Sequence, residues 1–193
     1  MIPACNRLST YIRYAFAEGI RPDTERGRLV VSEWYETSLP GVYAVGDVIG
    51  GVMLAHAATA EGRNAVHFMA GRPEAADMRW IPSCIYTDPE IACVGMTLDE
   101  AKAAGLDADS RKVLMGANGR TVIAGGERGY IRAVYEKGTE RLLGAQMMCQ
   151  RATDMIGGFA QALSAGLTVG DLARVIRPHP TFSEAIGDAV RGV

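Results

Sequence analysis

Past about residue 80 the hydrophobic rhythm changes, and the resulting order of elements restricts the fold more than any other feature. Segments near 83–86, 91–95, 111–116, 121–124, 129–135 and 141–148 have the short apolar character of strands. Residues at helical spacing come mainly after them. Strands grouped first and helices afterwards predict an α+β fold with helices on an antiparallel sheet. Glu136-Lys137-Gly138-Thr139 supplies a hairpin turn between the last two strands. Thr97-Leu98-Asp99-Glu100 has the capping-box pattern and predicts a short helix to about Ala104, stopped by Gly105. Met155, Ile156, Phe159 and Leu163 form the apolar stripe of a helix from about Thr153 to Ala165, ended by Gly166. Thr168 and Asp171 open one more short helix.

The chain before this point is organised differently. Arg28-Leu-Val-Val-Ser32 predicts a short strand, and residues 42–46 a buried one between Pro40-Gly41 and Gly46-Asp47. A Gly-Gly turn at 50–51 leads into a helix from about Met53 to Ala70, with Gly71 as its stop. Strand, Gly-Asp turn and helix in that order is α/β organisation. Gly71-Arg72-Pro73-Glu74 marks the shift, which places a boundary near 72–80.

Bulk properties exclude several classes. Of 193 residues 48% are apolar, ample for a core. Net charge is −2, from 20 basic and 22 acidic residues, with no basic stripe for a nucleic acid. No apolar run approaches membrane-spanning length, and residues 1–20 lack the order of a secretory signal. The expectation is a cytoplasmic protein with no membrane and no nucleic-acid partner. Cys5, Cys84, Cys93 and Cys149 match neither a CxxC pair nor zinc-ligand spacing, so reduced thiols and no metal site are expected.

Two places can carry chemistry. Gly46-Asp47 ends a predicted strand, where α/β sheets bind ligands, and its carboxylate can accept bonds from sugar-like hydroxyls. The helix beginning six residues later offers free N–H groups and partial positive charge to an electron-rich ligand. A plain Gly-Asp turn explains the same pair equally simply. The second place is His179-Pro180-Thr181-Phe182-Ser183-Glu184. A carboxylate that orients an imidazole is what proton transfer near neutral pH requires. The competing explanation is a capping box, with Thr181 as N-cap and Glu184 at N3. Pro180 also offers a cis peptide bond able to aim the ring. His56, near a helix start, and His67 are otherwise accounted for by packing and by surface position.

The residues GVYAVGDV at 41–48, MLAHAA at 53–58, YTDPEIACVG at 86–95, ANGR at 117–120, LLGAQM at 142–147 and HPTFSE at 179–184 occur in that order. Together they resemble the C-terminal part of the flavin-dependent pyridine nucleotide–disulfide oxidoreductases, most of all the dihydrolipoamide dehydrogenases, over roughly residues 21–193. The resemblance implies that 1–75 is the last, incomplete segment of an FAD-binding domain and 80–193 a dimerisation domain. It implies that Gly46 and Asp47 meet the sugar-alcohol region of FAD, and that the backbone of Met53, Leu54, Ala55 and His56 meets the flavin. His179 would be the acid–base group for a dithiol, held by Glu184, serving the flavin and disulfide of the opposite subunit. The implied cofactors are FAD and NAD. The implied partners are a second copy and a lipoyl-bearing acyltransferase or glycine-cleavage-type carrier protein.

The family's GxGxxG fingerprints and its redox cysteine pair do not occur in this sequence. A fragment unable to complete the redox cycle alone is therefore expected, and a dimerisation module without catalysis of its own is the alternative. A mercuric reductase is disfavoured by the ending Val190-Arg191-Gly192-Val193, which has no vicinal cysteines. A glutathione reductase is disfavoured by the LAHAA and ANGR segments.

Overall fold

The computed structural model describes residues 16–17, 19–72, 75–126 and 129–192. Residues 1–15, on which part of the domain expectation falls, lie outside the described residues. The chain forms two compact units, Met1–Met78 and Arg79–Val193.

In the first unit, β1 (Thr24–Glu25) pairs antiparallel with β2 (Arg28–Leu29) around a tight turn. The predicted strand at 28–32 is thus shorter, continued only by a bridge between Val31 and Thr37. The buried strand predicted at 42–46 does not form. Tyr43 makes a single bridge to Glu36, and Ala44 donates to the Tyr35 carbonyl at 2.9 Å. A strand is completed by a ladder along its edges, and this segment has only scattered bonds, among them Thr37 N to the Val42 carbonyl at 2.8 Å. A 3-10 turn follows at Gly46–Val48, then α1 (Ala55–Met69), starting two residues later than the sequence suggests. Ala57 and Ala65 face inward, and Trp34 stacks on Phe68 with ring centroids 4.8 Å apart.

The second unit is built on a five-stranded antiparallel sheet. Its strands are β3 (Ser83–Ile85), β4 (Glu90–Gly95), β5 (Ala108–Leu114), β6 (Tyr130–Glu136) and β7 (Leu142–Cys149), in the spatial order β3-β4-β7-β6-β5. The hairpin turn after Glu136 forms as predicted, with the Glu136 N–H donating to the Arg141 carbonyl. Side chains alternate across the pleat. Val94, Ile131 and Met147 enter one core, which α4 (Ala152–Ser164) covers with Ile156 and Phe159. Ala108, Val134 and Leu143 belong to a second, smaller cluster with Ala101 of α2 (Leu98–Ala103). Leu143 reaches that side because the register slips between Val134 and Tyr135. The main cluster has Val94, Ile131, Met147, Ile156 and Phe159 all fully buried.

Helix ends follow their capping chemistry. Thr97 caps α2 in a complete capping box with Glu100. Thr168 and Asp171 do the same for α5 (Val169–Ala173). The N-terminal turn of α4 has no cap from Arg151. Instead Glu90 of β4 accepts from Thr153 N at 2.9 Å and from its Oγ1 at 2.7 Å, placing a carboxylate at the positive end of the helix.

One element is of the other type. The strand expected at 121–124 is a helix, α3 (Gly119–Ile123). Val122 and Ile123 suggest a strand by composition, yet both side chains are exposed and pack in no sheet. Asn118 decides the outcome, because its Oδ1 accepts from Thr121 N at 2.9 Å and nucleates the turn. Correspondingly, β5 covers 108–114 rather than 111–116 and leads into a 3-10 turn at Met115–Ala117. The last helix, α6 (Glu184–Asp188), begins at Glu184 itself.

Candidate functional site

The segment between α5 and α6 brings His179 and Glu184 together. Arg177 anchors its start, donating from Nη1 to the Leu172 and Val175 carbonyls at 3.2 Å each. The His179–Pro180 peptide is cis. Glu184, at the first position of α6, points back along the segment with both oxygens engaged. Its Oε1 meets His179 Nδ1 at 2.9 Å, and its Oε2 accepts from Thr181 N at 2.8 Å. The capping box expected here is half absent: Thr181 Oγ1 donates to the Pro178 carbonyl at 2.8 Å, and Ser183, with no side-chain cap bond, occupies the N-cap position. Glu184 is therefore a brace for the loop and the ring.

The electrostatics follow from those bonds. The Thr181 N–H, and then His179, hold the Glu184 carboxyl below the usual carboxylate range, overriding its partial burial. An ionised carboxylate on Nδ1 favours the imidazole tautomer with its proton on that atom. Nε2 is then the nitrogen available to take a proton. The Glu184 side chain is 28% exposed and that of His179 77%, so the carboxylate is partly sheltered and the ring is accessible.

One residue of this region is not singled out by the sequence. Asn118 is buried, and its Nδ2 donates to the Thr181 carbonyl at 3.0 Å. Thr181 links it to Glu184. An N-cap at Asn118 is readable from the sequence, but its contact across 63 residues is not.

In the first unit the Gly46-Asp47 turn packs on α1. Gly46 is buried with φ +77°, and a Cβ there would stand 3.0 Å from that of Ala58. Its N–H donates at 2.6 Å to Oε2 of Glu61, a buried carboxylate that sequence reasoning also passed over. An acidic residue on the Ala57/Ala65 face of the helix was the available signal. Asp47 remains exposed in the 3-10 turn. Leu54 is the N-cap of α1 in extended conformation, with no side-chain cap and no acidic residue in the first turn. Met53, Ala55 and His56 are exposed at that end. A fifteen-residue helix with no side-chain cap from Leu54, in the same unit as an exposed carboxylate in a glycine turn, fits a ligand with electron-rich atoms and hydroxyls.

Comparison with known proteins agrees with both units. Residues 81–190 match the pyridine nucleotide-disulphide oxidoreductase dimerisation domain, and residues 13–62 match pyridine nucleotide-disulphide oxidoreductase. The dihydrolipoyl dehydrogenase of Bacillus subtilis is 43% identical over 169 residues, covering 86% of this chain and 35% of the relative. The mitochondrial dihydrolipoyl dehydrogenase of Bos taurus is 40% identical over 171 residues, covering 89% of this chain and 33% of the relative. The chain thus spans about a third of the length of these relatives. Among solved structures, the HOCl-induced flavoprotein disulfide reductase RclA from Escherichia coli superposes with a TM-score of 0.81 at 27% identity, over 88% of this chain and 40% of that one. LpdA from Mycobacterium tuberculosis does so with a TM-score of 0.81 at 26% identity, over 87% and 37%. With its dimerisation-domain match covering more than half its length, this chain belongs to the pyridine nucleotide-disulphide oxidoreductases.

Proposed function

We propose that this chain is the acid–base and subunit-joining portion of a dihydrolipoamide dehydrogenase, an enzyme that reoxidises dihydrolipoyl groups with FAD and NAD. The observation that carries the reading is the His179–Glu184 pair at 2.9 Å, on a loop whose ring nitrogen Nε2 is accessible. In this role Nε2 takes a proton from one thiol of the substrate. The thiolate formed is the species that attacks a disulfide. Glu184 keeps Nδ1 protonated and stabilises the charged ring until the proton is returned.

Asp47 would hold hydroxyls of FAD, beside Gly46, whose missing Cβ lets the turn close on Ala58 of α1. The backbone of Met53, Leu54, Ala55 and His56, at the positive end of α1, would face the flavin. When bound, FAD supplies the two-electron relay between the disulfide and NAD; none of the residues above is assigned to NAD. A homodimer follows from the dimerisation domain, and His179 would serve the flavin and disulfide of the opposite subunit. A lipoyl-bearing acyltransferase or a glycine-cleavage-type carrier protein would deliver the substrate.

The test joins this sequence to the amino-terminal portion of the Bacillus subtilis relative and assays dihydrolipoamide-dependent NAD reduction. His179→Ala is expected to lower the rate by about 100-fold or more. A variant with near-normal turnover overturns the assignment. If the chain by itself is only a dimerisation module, it purifies as a dimer without a flavin absorption band.

A further inference from the structure

Thr181 is held from both sides. Its N–H donates to Glu184 Oε2 at 2.8 Å, and its carbonyl accepts from Asn118 Nδ2 at 3.0 Å. The first bond fixes one oxygen of the carboxylate whose other oxygen meets His179 Nδ1. The second fixes the peptide that makes the first. Asn118 does this while buried, with its Oδ1 committed to Thr121 N at 2.9 Å and Thr121 Oγ1 at 3.1 Å. Its amide is therefore oriented by α3 before it reaches the loop. A bond from a buried, pre-oriented donor restrains a loop more than one from an exposed side chain.

We propose that Asn118 is a positioning residue for the acid–base pair, acting through Thr181 and Glu184 to set the direction and tautomer of the His179 ring. The inference rests on the acid–base reading of His179. The side-chain hydrogen bonds of Asn118 go to Thr181 and Thr121, not to His179. Its two functions separate cleanly by atom: Oδ1 caps α3, and Nδ2 holds the loop. Serine and aspartate retain an N-cap acceptor but have no amide donor. Asn118→Ser and Asn118→Asp are thus expected to keep the helix while releasing Thr181.

The measurement is nitrogen-15 NMR of the histidine rings in the full 193-residue chain, at a pH where they are neutral. His179→Gln identifies the His179 signals. Wild type is expected to show the Nδ1–H form, and Glu184→Ala to lose it. Asn118→Ser and Asn118→Asp should stay folded, at a thermal midpoint lowered by loss of the Asn118–Thr181 bond, yet shift His179 toward the Nε2–H form that an unpaired imidazole prefers. If Glu184→Ala abolishes the Nδ1–H signature but both Asn118 variants keep it, Asn118 is only a helix cap and the proposal is overturned. If Glu184→Ala leaves the ring unchanged, the His179–Glu184 pairing itself fails, and the acid–base reading falls with it.

Discussion

Glu184 divides its two oxygens between a ring and a backbone amide, and that division has a consequence for acid stability. Its carboxyl is held low in the folded chain, chiefly by Thr181 N–H and then by His179. A depressed carboxyl contributes stability that is fully present above the unfolded value, about 4.3 for Glu, and lost as pH falls through the folded value. Glu184→Gln should therefore be less stable than wild type near pH 7, with the gap closing below about pH 4. Urea unfolding at both pH values checks this, and a constant gap would contradict it. The pair was legible in the sequence because its members lie five residues apart. Glu61 was not: its task depends on a glycine N–H 15 residues earlier that only packing brings near. The capping-box pattern at 181–184 misled for a related reason. Local spacing permits the box, but Ser183 rather than Thr181 takes the N-cap position, and the Thr181 hydroxyl turns to the Pro178 carbonyl.

Helix boundaries set by side-chain caps were predicted well, and elements judged by composition less well. Both Thr-initiated helices begin where their capping boxes demand, whereas 121–124 went astray because three β-branched residues outweighed an asparagine cap. The 42–46 segment went astray because its strand character depends on neighbours rather than on its own residues. At α5 the box also holds Asp171 low, through the Thr168 N–H first and its hydroxyl second. Thr168→Ala should lower the unfolding free energy by about 1 kcal/mol, read from the shift in urea midpoint. An unchanged midpoint would show that the tertiary contacts of Val169 and Leu172 alone hold this turn.

At the scale of the whole molecule, the second unit has a contiguous core of its own under α4. Phe159 is its largest fully buried side chain, and Phe159→Ala should cost about 3–5 kcal/mol. Calorimetry on the intact chain tests whether the melting transition belonging to Arg79–Val193 moves accordingly. The α+β class was readable because every strand of the second unit precedes α4, its longest helix, although α2 and α3 interrupt the run; the strand order was not, since it arises from long-range pairing. That order bears on how the chain is made. β7 lies between β4 and β6, though it is the last strand in sequence. During translation β3 and β4 emerge early and then wait, with one edge of β4 unpaired, until residues up to Cys149 have left the ribosome. A nascent chain paused before that point exposes a bare strand edge able to pair with a neighbour on the same messenger. The unit that matches the dimerisation domain is thus the part of this chain most dependent on uninterrupted synthesis.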